Sequence, residues 1–159
     1  MSGTPSGPKP PRSRRRPLKR IVLAGAALFV VAQLVPYGRD HSNPATRVEP
    51  KWDSARTREL AVGACFDCHS NQVNWPWYSH VAPVSWLVQS DVDGARNNLN
   101  FQEWNRPQET DEIAEAIDSG EMPPLQYRLM HSSGRLSSAQ RDQLVAGIRA
   151  TLAASPPGR

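Results

Sequence analysis

Cysteine is nearly absent from this chain: its 159 residues hold two, Cys65 and Cys68. That count excludes a disulfide framework, and a single bridge between residues three apart would close a tiny loop of little stabilising value. Acidic residues are missing from the whole stretch before Asp40, where Lys9, Arg12, Arg14, Arg15, Arg16, Lys19 and Arg20 crowd the first 20 positions. Of 19 basic and 15 acidic residues, 12 basic and all the acidic ones lie from Ile21 onward. The basic charge therefore belongs to a tail, the remainder is mildly acidic, and a nucleic-acid-binding role loses its support. No segment alternates with period two and no repeat is visible, which leaves helices as the expected regular structure. Hydrophobic residues make up 38%, a modest core that a bound group filling part of the interior would complete.

An uncharged, largely apolar stretch, residues 21–37, follows the cations directly. Basic first and apolar second is the layout of an export signal or signal anchor, with the positive end in the cytoplasm. The expected organisation is a disordered basic cytoplasmic tail (1–20), a transmembrane signal anchor (21–37), a linker or extended arm (38–50), a folded domain (51–154) and a disordered tail (155–159). An uncleaved anchor is preferred over cleavage after Ala32, because Gln33-Leu34-Val35 makes an apolar start for a mature chain. The domain then faces the periplasm or cell exterior from the cytoplasmic membrane.

Within the domain, Asp53 or Ser54 can cap a helix running to about Phe66. Val84, Leu87, Val88, Val92, Ala95 and Leu99 recur in steps of three and four, an amphipathic helix after Pro83. A short helix after Thr110 places Ile113, Ala114 and Ile117 inside and stops at Gly120. Ser137 with Gln140 forms a capping box for a last helix carrying Leu144, Val145, Ile148 and Leu152. Residues 121–135 have too many breaks to be regular. The expected fold is all-α, with about four helices and long loops.

The two cysteines stand in "ACFDCHS", with His69 directly after the second. A redox dithiol belongs at a strand end in a βαβ pattern, which is not visible here. A structural zinc site needs four ligands, and His41, His80 and His131 are scattered singly. C-x-x-C-H read as a covalent haem site fits best: the thiols add to the haem vinyl groups, and His69 reaches the iron. Export agrees with it, since in bacteria this attachment takes place outside the cytoplasmic membrane.

Met122, in "SGEMPP", is the expected second axial ligand. It leaves every apolar stripe, and Pro123 and Pro124 stiffen its loop. His131, Met130 and His80 are the alternatives. Trp75, Trp77 and Tyr78, within ten residues of His69, are expected to wall the haem, while Trp86 and Trp104 read as core. Arg96, Arg106 and Arg128 are candidates for the haem propionates, with none singled out. The second nitrogen of His69 needs an acceptor, expected among backbone carbonyls around Pro76 to Pro83.

The helix ending in C-x-x-C-H, the short helix leading to "GEMPP" and the capped helix after "RLS" resemble class I cytochromes c. The stretches "YGRDHSNP", "CFDCHSNQVNWPWYSHVAPVSWLVQSDVDGARNNLNFQEW" and "GEMPP" resemble more particularly the small bacterial haem-binding domain proteins, from about Tyr37 to Leu152. That resemblance implies one membrane anchor and one domain with one covalently bound haem c. The expected function is one-electron transfer to an unidentified redox protein. A sensor or peroxidase-type enzyme with an open sixth position is the alternative, and it ranks second because no distal Arg/His pair of the peroxidase kind is present.

Overall fold

The structure is a computed structural model and describes residues 15–158. The chain divides between Pro36 and Tyr37 into two units. The first contains helix α1 (Arg15–Ala32). Among the described residues no helix is long and apolar enough to cross a membrane, so the transmembrane helix expected over 21–37 is not found. Pro36 forces Val35 out of the helical region, and α1 has already given way to tighter turns, with Leu34 N–H donating to Val31 at 3.0 Å. Its first turns carry Arg15, Arg16, Lys19 and Arg20. The apolar part, Ile21–Ala32, rises only about 18 Å at 1.5 Å per residue, against a hydrocarbon core of about 30 Å. The expected basic tail lies, through residue 14, outside the described residues.

The second unit is all-helical. Its helices are α2 (Ala55–Ala64), α3 (Phe66–His69), α4 (Val84–Asn98), α5 (Ile113–Asp118), α6 (Leu125–Met130) and α7 (Ser138–Ala154), with short 3-10 turns at Trp77–His80 and Ser132–Gly134. No strand occurs among the described residues, and one isolated parallel bridge joins Val48 to Glu103. The all-α class is as expected, but the helix count exceeds four because α3 forms a separate turn after α2 and residues 121–135 contain α6. The last helix is capped as the sequence dictates, with Ser137 accepting from the Gln140 N–H and Gln140 from the Ser137 N–H. α7 packs on α5 and α2. Gly147 is required at the α2 crossing, since a Cβ there would overlap the Thr57 side chain.

The core gathers Leu60, Phe66, Leu99, Phe101, Ile117, Leu144 and Ile148. Through it runs an aromatic stack, Phe66 on Phe101 and Phe101 on Trp104, with ring centroids 5.9 Å apart at both steps. The Trp104 indole donates to the Ser155 carbonyl, and Gly158 donates to the Trp104 carbonyl. Residues 155–158, expected as a tail, are thus bonded to the core.

The expected stripe of α4 holds toward its C-terminal end, where Val92 and Leu99 are buried and Val88 and Ala95 half-buried, but not in its first turn. Ser85, Gln89 and Val92 are buried, whereas Val84 and Leu87 are 44% and 55% exposed. The arm of residues 38–50 lies against this first turn. Gly38, at φ +80°, lies so close to Ser85 that a Cβ would sit 2.7 Å from its carbonyl carbon, so position 38 admits only glycine.

Candidate functional site

The C-x-x-C-H segment begins where α2 ends. Ser54 caps α2 by accepting from the Thr57 N–H, and the Cys65 N–H still donates to Ala61 at 2.8 Å. Cys65 then leaves helical geometry, at φ −122°, and one new turn, α3, carries Cys68 and His69. Cys68 and His69 both donate to the Cys65 carbonyl, at 3.1 and 2.8 Å. The motif is therefore closed on itself as a single turn, with both thiols free and half-buried. Burial pushes each thiol up to about 12, helped at Cys65 by Cys68 and at Cys68 by Asp67 and Asp91. A thioredoxin-type pair works through a thiolate of lowered pKa, and these thiols are held in the opposite state. No group of three or more His, Cys, Asp or Glu side chains suited to a metal ion is found among the described residues.

His69 is held at Nδ1, which lies 3.0 Å from the carbonyl oxygen of Leu99. A carbonyl only accepts, so Nδ1 carries the proton and Nε2 keeps its lone pair. Burial lowers the pKa of His69, against the raising effect of its backbone hydrogen bonds, so the ring is neutral at physiological pH. The acceptor is Leu99 rather than a carbonyl of the Pro76–Pro83 loop. Beside it, Phe101 donates back to the His69 carbonyl at 2.9 Å.

The segment holding Leu99 is fixed by a buried amide network that sequence reasoning missed. Asn100 donates to the side chain of Asn71 at 2.7 Å, the Asn71 N–H donates to the Gln102 side chain at 3.1 Å, and the Gln102 N–H donates to the side chain of Asn100 at 2.9 Å. All three residues are essentially inaccessible. Gln102 also donates to Glu49, whose carboxyl is held below the usual carboxylate range, chiefly by its hydrogen bonds from Arg58. Buried polar groups persist only when paired, and "NLNFQ" at the end of the α4 stripe was the available signal.

The aromatic residues take three different positions. Trp75 stacks on His41 with centroids 4.5 Å apart, and its indole N–H is buried without a partner. Trp77 is 76% exposed. Tyr78 places its hydroxyl 2.7 Å from Nε2 of His131. Trp86 likewise leaves a buried indole N–H unpartnered, and Trp104 is core. Among the arginines, Arg96 donates to the carbonyls of Ser70 and Ser42, and Arg106 to Glu103 and to carbonyls including that of Arg96. Arg128 keeps a buried Nε without a partner.

Met122 follows α5 and is 39% exposed, its N–H donating to the Ala116 carbonyl at 2.8 Å. Met130 and His80 are exposed, and His80 packs edge-on against His41. His131 is engaged on both nitrogens, with Nδ1 3.8 Å from Asp67 and Nε2 at Tyr78.

A profile of the haem-binding domain family matches residues 27–150. The chain belongs to the haem-binding domain family. No curated protein and no solved structure matches it. The residues present fit the group that names the family. Two free thiols and an imidazole lie on one closed turn, that imidazole is held through Nδ1, and buried donors at Trp75 and Arg128 have no acceptor of their own.

Proposed function

We propose that this haem-binding domain carries one haem covalently, as haem c, and passes single electrons outside the cytoplasmic membrane. The observation that carries the reading is the His69 Nδ1 bond to Leu99 on the same turn as two unpaired thiols. It leaves Nε2 as the one imidazole atom able to bind iron, in the orientation a second partner requires. Cys65 and Cys68 hold the group through thioethers: each S–H adds across a vinyl group, sulfur to one carbon and hydrogen to the other, so no oxidant is consumed. The haem supplies an iron that changes between ferrous and ferric states.

Met122 is the proposed distal ligand. Its thioether has no hydrogen-bond partner found in the structure, whereas His131 has Nε2 committed to Tyr78. A methionine there favours ferrous iron and a higher potential. Export is argued from the charge layout of residues 9–37, cations before an apolar run, which supports an extracytoplasmic domain without requiring that α1 itself span a bilayer.

Intact-mass measurement of the purified protein tests the central reading. One haem added to the chain mass, retained in acidified organic solvent and lost on Cys65→Ser with Cys68→Ser, is the expected result. Haem that extracts freely from the wild type would overturn covalent attachment.

A further inference from the structure

α6 poses a problem of attachment. None of its residues is buried, and Leu125, Leu129 and Met130 are 61%, 71% and 61% exposed. Its packing is confined to the half-buried Tyr127 and Arg128. The polar anchor of Tyr127 is Asp67, the residue between Phe66 and Cys68 in the C-x-x-C-H turn. Its Oδ1 accepts the Asn74 N–H at 3.2 Å, and its Oδ2 accepts the Tyr127 hydroxyl of α6 at 2.7 Å. The Tyr127 ring stacks on His131, with centroids 4.3 Å and planes 4° apart. His131 turns Nδ1 toward the same Asp67 oxygen and Nε2 toward Tyr78. One carboxylate thus joins the loop at Asn74, α6 and the 3-10 turn at Tyr78.

Tyr127 is also gripped from behind. A Cβ at Gly134 would lie 2.6 Å from two carbons of its ring, so the backbone there presses on the ring while the hydroxyl is drawn to Asp67. Burial, then the Asp67 bond, raises the pKa of this phenol, which keeps it a proton donor. α6 begins three residues after Met122, across Pro123 and Pro124. Whatever fixes α6 therefore fixes one end of the Met122 loop.

We propose that Tyr127 is a positioning residue for the haem site, locking α6 to the C-x-x-C-H turn through Asp67 and thereby restraining the loop that carries Met122. This rests on the covalent-haem reading for its consequence at iron, but not for the clamp itself.

Purified wild type and the variants Tyr127→Phe, Asp67→Ala, Asp67→Asn and Gly134→Ala are compared by amide hydrogen exchange and by the rate at which added imidazole binds ferric haem. Tyr127→Phe removes one hydroxyl and keeps the stacking. It should speed exchange at 128–131 about tenfold, the value of one good hydrogen bond, with α7 unchanged, and raise the imidazole association rate. Asp67→Ala and Gly134→Ala should do the same. Asp67→Asn should stay near wild type, because Tyr127 can accept from the amide while the amide oxygen accepts from Asn74. Adding Tyr127→Phe to Asp67→Ala should change nothing further. Unchanged exchange at 128–131 in Tyr127→Phe, or equal acceleration in α7, overturns the clamp. Faster α6 exchange with an unchanged imidazole rate overturns its link to the haem site. A wild type without covalent haem defeats the proposed function alone, since exchange in that protein still reads the clamp.

Discussion

Nδ1 of His69 and the carbonyl oxygen of Leu99 stand 3.0 Å apart, 30 residues distant in sequence. That contact decides which imidazole nitrogen is available, and Asn71, Asn100 and Gln102 hold the carbonyl in place. The first prediction follows from them. Gln102→Ala leaves the Asn71 N–H unpaired and opens a void, and should cost about 2–4 kcal/mol in urea unfolding. The exposed Gln72→Ala should cost close to nothing. Equal effects would show that the network contributes no stability of its own.

Met122→Ala should abolish the weak near-infrared sulfur-to-iron band of the ferric protein, lower the potential and admit carbon monoxide to the ferrous form. His131→Ala should leave that band in place, because its imidazole is already bonded to Tyr78. A wild type without that band, whose spectrum changes in His131→Ala and not in Met122→Ala, would mean bis-histidine ligation.

C-x-x-C-H and the Ser137–Gln140 capping box were legible because each is local: a few adjacent residues carry the chemistry. The capped helices α2 and α7 and the Gly120 stop of α5 were legible for the same reason. α6 was not, since "LQYRLM" buries no residue and its polar anchor, Asp67, lies 60 residues before Tyr127. The inner face of α4 was read correctly at Val92 and Leu99 but not in the first turn, where apolar periodicity favours Val84 and Leu87 while Ser85, packed against the arm at Gly38, is the buried residue. The acceptor for His69 was misplaced because a backbone carbonyl has no sequence signature. Covalent attachment, Met122 ligation and location were read from the sequence and stand as proposals.

Glu49 supplies the acid limb of stability. Its folded pKa lies below the ordinary 4.5 through its bonds from Arg58, so its contribution is present above that value and is lost as pH falls through the folded pKa. Glu49→Gln should be less stable at pH 7 by on the order of 1 kcal/mol, given the pair's partial exposure. The deficit should shrink below about pH 4, measured by urea unfolding at stepped pH. A deficit constant across that range would assign the effect to packing.

Gly147→Ala places a methyl group in the Thr57 side chain and should lower stability by about 1–3 kcal/mol. Thr57→Ala, which also loses the Ser54 contact, should relieve part of that loss when combined with it. Simple additivity of the two would mean that α2 and α7 do not meet there as described.

Because the partner of His69 is main chain, no replacement of the Leu99 side chain can delete it. Genetic fragility at this position is thereby exported to residues that never touch the imidazole. Inherited or selected changes that disable the haem site from outside the motif should concentrate at 71, 100 and 102, while 99 itself tolerates any side chain that fills its place in the core.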